Sequence, residues 1–126
     1  MEKQVHASPD GAPAVGPYSP AVSAGDFVFI SGQIPLDKDG KIAGYTPKEQ
    51  ARKALENLAA TLAAAGLTLD DVVKTTIFIK DMDEFGAIND VYAEFFREPY
   101  PARSTIEVAR LPKDLHIEIE AVAYRG

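Results

Sequence analysis

The sequence predicts an α+β domain in which two helices pack on one face of a mixed β-sheet. Two segments carry apolar residues at helical spacing, and several shorter segments are β-branched or alternate between apolar and polar residues. Mostly short connections rich in glycine and proline join them. A chain of 126 residues can bury one hydrophobic core. We therefore expect residues 1–126 to form a single domain with the order β-ββ-α-β-α-ββ.

The composition narrows the classes of function. The chain is 46% hydrophobic and 25% charged, as soluble globular proteins are. Its net charge of −6, without a cluster of lysine and arginine, argues against nucleic acid as the main partner. It has no cysteine and two scattered histidines, His6 and His116, so we expect no disulfide and no metal site. Neither a membrane-spanning run nor a signal-peptide pattern is present, and we expect a cytoplasmic protein without a membrane partner.

The first third of the chain predicts three strands and a proline-rich loop. A short strand over Lys3 to Ala7 precedes the loop, which carries Tyr18 in a stiff turn. The ring of Tyr18 either covers apolar surface or holds its phenol over a pocket. Ala21–Ala24 and Phe27–Gln33 then form a β-hairpin.

Both helices have recognisable start signals. Thr46-Pro47-Lys48-Glu49 fits a capping box with proline at the first helical position, and Gly66 ends this helix. The second helix is expected over residues 84–97, after the strand Val72–Lys80, with Asp81–Glu84 supplying N-caps. The expected core-facing stripes are Ala51, Leu55, Leu58, Leu62 and Ala65 in the first helix and Phe85, Ile88, Tyr92 and Phe95 in the second.

Two positions at which small or polar residues interrupt an apolar strand or helix are candidates for the functional site. Ser31-Gly32 breaks the second hairpin strand, which indicates either a plain bulge or a place where another group approaches the backbone closely. Asn89 lies beside the apolar stripe of the second helix, where a polar side chain needs a partner. It either braces a neighbouring loop or lines a pocket.

The candidate chemistry lies in the last third of the chain. Arg103 is the one basic side chain in an otherwise small and apolar run, and its guanidinium matches a carboxylate bidentately. The last strand, Leu115 to Ala123, alternates so that Glu118 and Glu120 share a face. A cation and carboxylates on neighbouring strands can bind a small anion and handle a proton. Alternatively, Arg103 and Glu118 form a structural ion pair, or the glutamate face is solvated.

Two helices cannot cover both faces of such a sheet. By alternation, the uncovered face would carry Ser31, Thr76, Glu118 and Glu120. It is either wetted or covered by another subunit, and we predict an oligomer.

These motifs resemble the Rid (YjgF/YER057c/UK114) family over nearly the whole chain, and most closely its RidA subgroup of enamine/imine deaminases. The resemblance implies a chorismate-mutase-like fold and a homotrimer with clefts between subunits. It implies hydrolysis of 2-iminopropanoate and 2-iminobutanoate to 2-oxo acids and ammonia, without a cofactor. The motifs are Gly16-Pro17-Tyr18-Ser19-Pro20-Ala21, Phe29-Ile30-Ser31-Gly32-Gln33, Val73-Lys74-Thr75-Thr76, Pro101-Ala102-Arg103-Ser104, Val108-Ala109-Arg110-Leu111-Pro112-Lys113-Asp114 and Ile117-Glu118-Ile119-Glu120.

The resemblance also implies roles for particular residues. Arg103 is expected to clamp the substrate carboxylate and Glu118 to activate water, with Tyr18 as a further catalytic residue in the cleft. The expected lining residues are Ser31, Gly32, Asn89 and Thr105; Thr105 stands where many relatives have cysteine.

Two other functions remain open from the sequence. The same cleft could serve a non-catalytic trimer that binds small carboxylates as a sensor or chaperone. A nuclease or translation inhibitor is the third possibility, and the acidic balance disfavours it.

Overall fold

A computed structural model of the chain describes residues 2–126. Within these residues, six strands form one sheet and two α-helices pack against one of its faces. This confirms the predicted α+β class and element order. The strands are β1 (Gln4–His6), β2 (Ala21–Ala24), β3 (Phe27–Gln33), β4 (Val72–Ile79), β5 (Ala102–Glu107) and β6 (Ile117–Tyr124), and the helices are α1 (Pro47–Ala64) and α2 (Phe85–Phe95).

The sheet is mixed, and its strand order is β1-β2-β3-β6-β4-β5. All neighbouring pairs are antiparallel except β4 and β5, which are parallel and are joined by α2. A parallel pair needs such a crossover because its strands begin at the same end. Strand β5 is therefore an edge strand, and β6, although last in sequence, lies in the middle of the sheet.

Helix α1 begins and ends where the sequence predicts. The Thr46 side chain accepts a hydrogen bond from the Glu49 amide, and the Glu49 carboxylate accepts one from the Thr46 amide. Gly66 follows the helix with a φ of +79°, a left-handed conformation that glycine adopts without strain. The five stripe residues predicted for α1 are all buried against the sheet.

Helix α2 is shorter than predicted at both ends. Asp81 caps a 3₁₀ turn, Met82–Glu84, rather than the α-helix itself, and its carboxylate accepts from the Asp83 amide. The helix ends at Phe95 because Phe96 is extended, with φ −110° and ψ 147°. The expectation of a helix over residues 84–97 is therefore wrong by one residue at the start and two at the end.

The observed bounds of two strands also differ from the predicted bounds by about two residues. Strand β1 is three residues long, against the five predicted. Strand β6 begins at Ile117, two residues later than predicted, because the His116 amide donates to the Gln50 side chain at 2.7 Å instead of joining the ladder.

The core lies between the helices and one face of the sheet. Leu55, Leu58 and Leu62 of α1 are at most 1% exposed and meet the fully buried Ile77 and Ile119 of the central strands. Burying a leucine or isoleucine in this way stabilises the fold by about 1.5–3 kcal/mol per side chain.

The opposite face of the sheet, which we call the open face, has no helix over it in residues 2–126. Glu118 and Glu120 lie on this face because their cross-strand partners are Phe78 and Thr76, on the alternate positions to the buried Ile77 and Ile79. The predicted placement of Thr76, Glu118 and Glu120 is confirmed. Apolar side chains are also exposed here, among them Phe27, Phe29, Ile106 and Tyr124. Neither helix in the described part of the chain has the length and apolarity to cross a lipid bilayer.

Candidate functional site

Arg103 lies on the helix side of the sheet, at the edge strand β5. Its partner in β4 is the buried Thr75, so its side chain points towards α2 rather than to the open face. The guanidinium donates from Nη1 to Oδ1 of Asn89 at 2.7 Å. It also lies 4.8 Å from the ring centroid of Tyr92 and 5.4 Å from that of Phe85. Cation–π contacts of this kind contribute about 0.5–2 kcal/mol.

A buried hydrogen bond supports the ring beneath Arg103. The hydroxyls of Tyr92 and Thr75 are 2.9 Å apart, and Thr75 is fully buried. Burial raises the pKa of the Tyr92 phenol and outweighs the opposing effects of the Thr75 hydrogen bond and the Arg103 charge. Tyr92 therefore stays neutral and offers Arg103 a rigid aromatic surface.

The guanidinium opens onto a cavity of about 420 Å³, which we call the arginine cavity. Within residues 2–126 no carboxylate lies within 4.0 Å of Arg103, so its charge is not neutralised inside the subunit. Thr105 follows on the same face of β5, opposite the buried Ile77. The cavity is lined by Asn89, Tyr92, Ala93, Tyr100, Pro101 and Arg103.

Glu118 lies on the open face and reaches back over the backbone of β3. A Cβ added to Gly32 would sit 2.6 Å from Cδ of Glu118, closer than any real contact. Glycine is therefore required if the glutamate is to keep this position. The β3–β6 register also shifts between Ile30 and Gln33. Both interpretations of Ser31-Gly32 are therefore confirmed: the strand is irregular here, and another group approaches its backbone closely.

The carboxylate of Glu118 lies in a recess of about 290 Å³ on the open face, which we call the glutamate recess. Burial raises the pKa of Glu118, and the neighbouring Glu120 raises it further. No hydrogen bond to the Glu118 side chain is present among residues 2–126, so no donor within the subunit stabilises its charged form in this way. The recess is lined by Gly32, Phe78, Val108, Arg110, Leu111, Glu118 and Glu120.

The proline-rich loop places Tyr18 near Gly32. The Ser31 hydroxyl donates to the Ser19 carbonyl at 2.6 Å, and the Ser31 amide donates to the Pro20 carbonyl at 2.9 Å. These bonds fix the loop to the end of β3. Tyr18 is 47% exposed and its hydroxyl accepts from the Val15 amide at 3.3 Å, and it lines a small recess shared with Gly32.

Two features of the sequence-based site are wrong within one subunit. Strands β5 and β6 are not neighbours, because β4 lies between them. Arg103 and Glu118 also point to opposite faces of the sheet, which follows from their partners Thr75 and Phe78. They therefore form neither a structural ion pair nor a shared pocket in the isolated chain.

The residues that hold Arg103 were only partly visible in the sequence. The helical stripe predicts only burial for Tyr92 and Phe85, and not that their rings contact Arg103. The pairing of a buried tyrosine with a threonine three positions from the nearest strand end has no short-range signal. By contrast, Asn89 stood out as a polar residue beside an apolar stripe. Among the described residues, no group of three or more potential metal ligands is clustered.

Comparison with known proteins covers almost the entire chain. The family model described as Endoribonuclease L-PSP matches residues 9–125. A RutC family protein of Pyrococcus horikoshii is 52% identical over 124 residues, covering 98% of both chains. The 2-iminobutanoate/2-iminopropanoate deaminase of Salmonella typhimurium is 48% identical over 128 residues, covering 99% of both chains. The crystal structure of Escherichia coli TdcF with bound serine superposes with a TM-score of 0.92 at 45% identity, covering 98% of this chain and 99% of the other.

Proposed function

The chain belongs to the YjgF/Rid family, and from this membership we propose that it is an enamine/imine deaminase. Its substrates are reactive 2-imino acids such as 2-iminopropanoate and 2-iminobutanoate, and its products are 2-oxo acids and ammonia. The observation that carries the proposal is the un-neutralised Arg103 guanidinium, held by Asn89 and Tyr92 at the mouth of a cavity. A relative named 2-iminobutanoate/2-iminopropanoate deaminase and one named putative reactive intermediate deaminase support the same reaction type.

Arg103 binds the substrate carboxylate. Its planar fork of donors matches the two carboxylate oxygens, and the bond to Asn89 together with the ring of Tyr92 restricts its rotation. Little side-chain entropy is then lost when the substrate binds. TdcF with bound serine supports such an occupant, because serine carries the same α-carboxylate as a 2-imino acid.

Glu118 handles the protons of the hydrolysis. As the water oxygen bonds to C2, Glu118 takes a proton from the water, and the C=N bond becomes a C–N bond. Glu118 then returns this proton to the nitrogen, and the C–N bond breaks so that ammonia leaves. As C=O forms, the hydroxyl oxygen gives its remaining proton to the now ionised Glu118, which passes it to the departing ammonia as ammonium. General acid–base catalysis of this kind contributes about 10²–10⁴-fold in rate. A protonated imine is already electrophilic, so this chemistry requires no metal and no cofactor.

The two groups meet only if two subunits contribute to one cleft. Arg103 and Glu118 face opposite sides of the sheet in one chain, whereas a second copy packed on the open face can bring its own Arg103 towards Glu118. The exposed Phe27, Phe29 and Tyr124 give this face an apolar character suited to such an interface. A chorismate-mutase-like homotrimer with three such clefts is the assembly that the family resemblance favours.

The remaining site residues take supporting parts in this proposal. Tyr18 contacts substrate or water from the loop fixed by Ser31. Gly32 leaves room for the carboxylate of Glu118. Asn89 braces Arg103, and Thr105 lines the cleft beside it.

The test measures imine breakdown directly. An amino-acid oxidase generates the 2-imino acid in situ, and semicarbazide traps whatever imine remains. We expect the wild-type protein to suppress trapping and Arg103→Ala to lose this effect while keeping its oligomeric state. Arg52→Ala is the matched control, because Arg52 pairs with Glu94 on the outer surface of the helices, at 3.0 Å. Normal turnover by Arg103→Ala would disprove the assignment.

The same experiments distinguish the deaminase from two other functions, a carboxylate-binding protein and a nuclease. A carboxylate-binding trimer would bind a 2-oxo acid through Arg103 and saturate without turnover. The family model is described as an endoribonuclease, and a nuclease would show RNA binding that weakens steeply with salt. The net charge of −6 makes the second outcome the less expected one.

A further inference from the structure

Glu118 and Glu120 are two negative charges on the same face of one strand. Their partners in β4 are Phe78 and Thr76, neither of which carries charge. Both carboxylates line the glutamate recess. Among residues 2–126 neither side chain receives a hydrogen bond or forms an ion pair within 4.0 Å. Within one subunit, each carboxylate therefore feels the other without an ion-pair partner.

Four other charged or titratable side chains lie near the two carboxylates within the subunit, and none of them forms an ion pair with either carboxylate. Arg110 lines the recess from the loop after β5 but forms no ion pair within the described chain. Lys74 shares the open face of β4, and its ammonium donates to the Ser104 hydroxyl at 3.0 Å. Tyr18 lies in the small recess next to Gly32. His116, two residues before Glu118, is bonded to Glu84 at 2.8 Å.

Burial and the charge of Glu120 act on Glu118 in the same direction. Both raise the pKa of Glu118, with burial the larger effect. Glu120 is exposed, whereas Glu118 is half-buried against Gly32 and Phe78. The charge of the exposed Glu120 thus opposes ionisation of the inner Glu118.

We propose that Glu120 is a positioning residue for proton transfer, whose charge favours the form of Glu118 that carries the proton to the departing ammonia. The proposal rests on the proposed deaminase function, in which Glu118 takes a proton from water and returns it to nitrogen. Glu120 exchanges no proton with the substrate and touches no reacting atom. It acts only through its charge, two residues along the same face of β6.

The test uses Glu120→Gln, which keeps the shape of the side chain and removes its charge. The pH–rate profile of the full-length protein is measured for this variant, for the wild type and for Glu118→Gln. We expect the limb of the profile that is lost in Glu118→Gln to move to lower pH in Glu120→Gln. Glu56→Gln is the matched control, since Glu56 is exposed on α1 far from the recess and should leave the profile unchanged.

A second readout does not depend on activity. With ¹³C-labelled glutamate, the side-chain carboxyl carbon of Glu118, assigned by its loss in Glu118→Gln, is titrated by NMR. Its midpoint should fall in Glu120→Gln and stay in place in Glu56→Gln. An unmoved midpoint, or a rate lowered equally at every pH, would overturn the proposal and leave Glu120 a structural residue. If the wild type breaks down no imine, the deaminase function fails, and the proton-transfer role fails with it. The NMR midpoints still show separately whether the two carboxylates interact.

Discussion

The hydrogen bond between Thr75 and Tyr92 gives a sharp test of how the arginine cavity is built. Tyr92→Phe removes one hydroxyl, Thr75→Val removes the other with little change of shape, and the double variant removes both. Thr75 is fully buried and Tyr92 is 6% exposed, so a hydroxyl left alone cannot turn to bulk water. The two oxygens are 2.9 Å apart, which is an ordinary hydrogen-bond distance.

The expected magnitudes follow from this geometry. Thr75→Val leaves the Tyr92 hydroxyl without a partner, which costs about 1–3 kcal/mol of unfolding free energy. Tyr92→Phe leaves the Thr75 hydroxyl without a partner in the same way, so its cost should also be about 1–3 kcal/mol. Removing both partners leaves no unpaired group, so the double variant should lose less than the sum of the two single losses.

The assay is urea unfolding at a fixed subunit concentration, since the stability of the proposed oligomer would depend on concentration. Tyr100→Phe is the control, because Tyr100 is 60% exposed and should change stability by less than about 0.5 kcal/mol. Additive losses in the double variant would refute the reasoning, because they would show that the two hydroxyls do not depend on each other. Loss in neither single variant would refute it as well.

Three further predictions follow from the site. Gly32→Ala should displace the Glu118 side chain and lower imine turnover towards that of Glu118→Gln while leaving the urea midpoint nearly unchanged; full turnover would contradict the close approach. Asn89→Ala should free the guanidinium of Arg103 and raise KM more than it lowers kcat, and an unchanged KM would show that Asn89 does not orient it. Because burial raises the pKa of Glu118 in the folded state, the proton on this group stabilises the fold at low pH, and that stabilisation is lost as pH rises through the raised value. In urea titrations, the unfolding free energy of Glu118→Gln should therefore equal that of the wild type at acid pH and exceed it at neutral pH. A less stable Glu118→Gln at neutral pH would mean that a cation, and not burial, has the larger effect on the pKa of Glu118.

Local signals in the sequence were sufficient for most of the fold. The capping box at Thr46 and the glycine at position 66 define α1 because both act within one turn of the chain. Alternation in β6 correctly separated Glu118 and Glu120 from the buried Ile117 and Ile119, since side-chain direction in a strand depends only on parity. Errors of one or two residues occurred where a non-local contact decides, as at His116 and Gln50.

The site was harder to predict because it depends on strand order. Arg103 and Glu118 were identified individually, but no local pattern shows that β4 lies between their strands. Nor does any pattern near Arg103 show that its side chain faces α2, which follows from the parallel register with Thr75. The position of Tyr92 in the apolar stripe predicts its burial but neither the hydrogen bond of its hydroxyl nor the contact of its ring with Arg103.

The placement of Arg103 and Glu118 on opposite faces of the sheet has a genetic consequence. In the proposed trimer, each cleft takes its arginine from one polypeptide and its glutamate from another. A cell that makes both Arg103→Ala and Glu118→Gln chains would then assemble mixed trimers in which some clefts combine an intact arginine with an intact glutamate. Two alleles that are each inactive alone would therefore complement each other. Conversely, a mutant allele expressed beside the wild-type allele would inactivate some clefts in trimers that also contain wild-type chains.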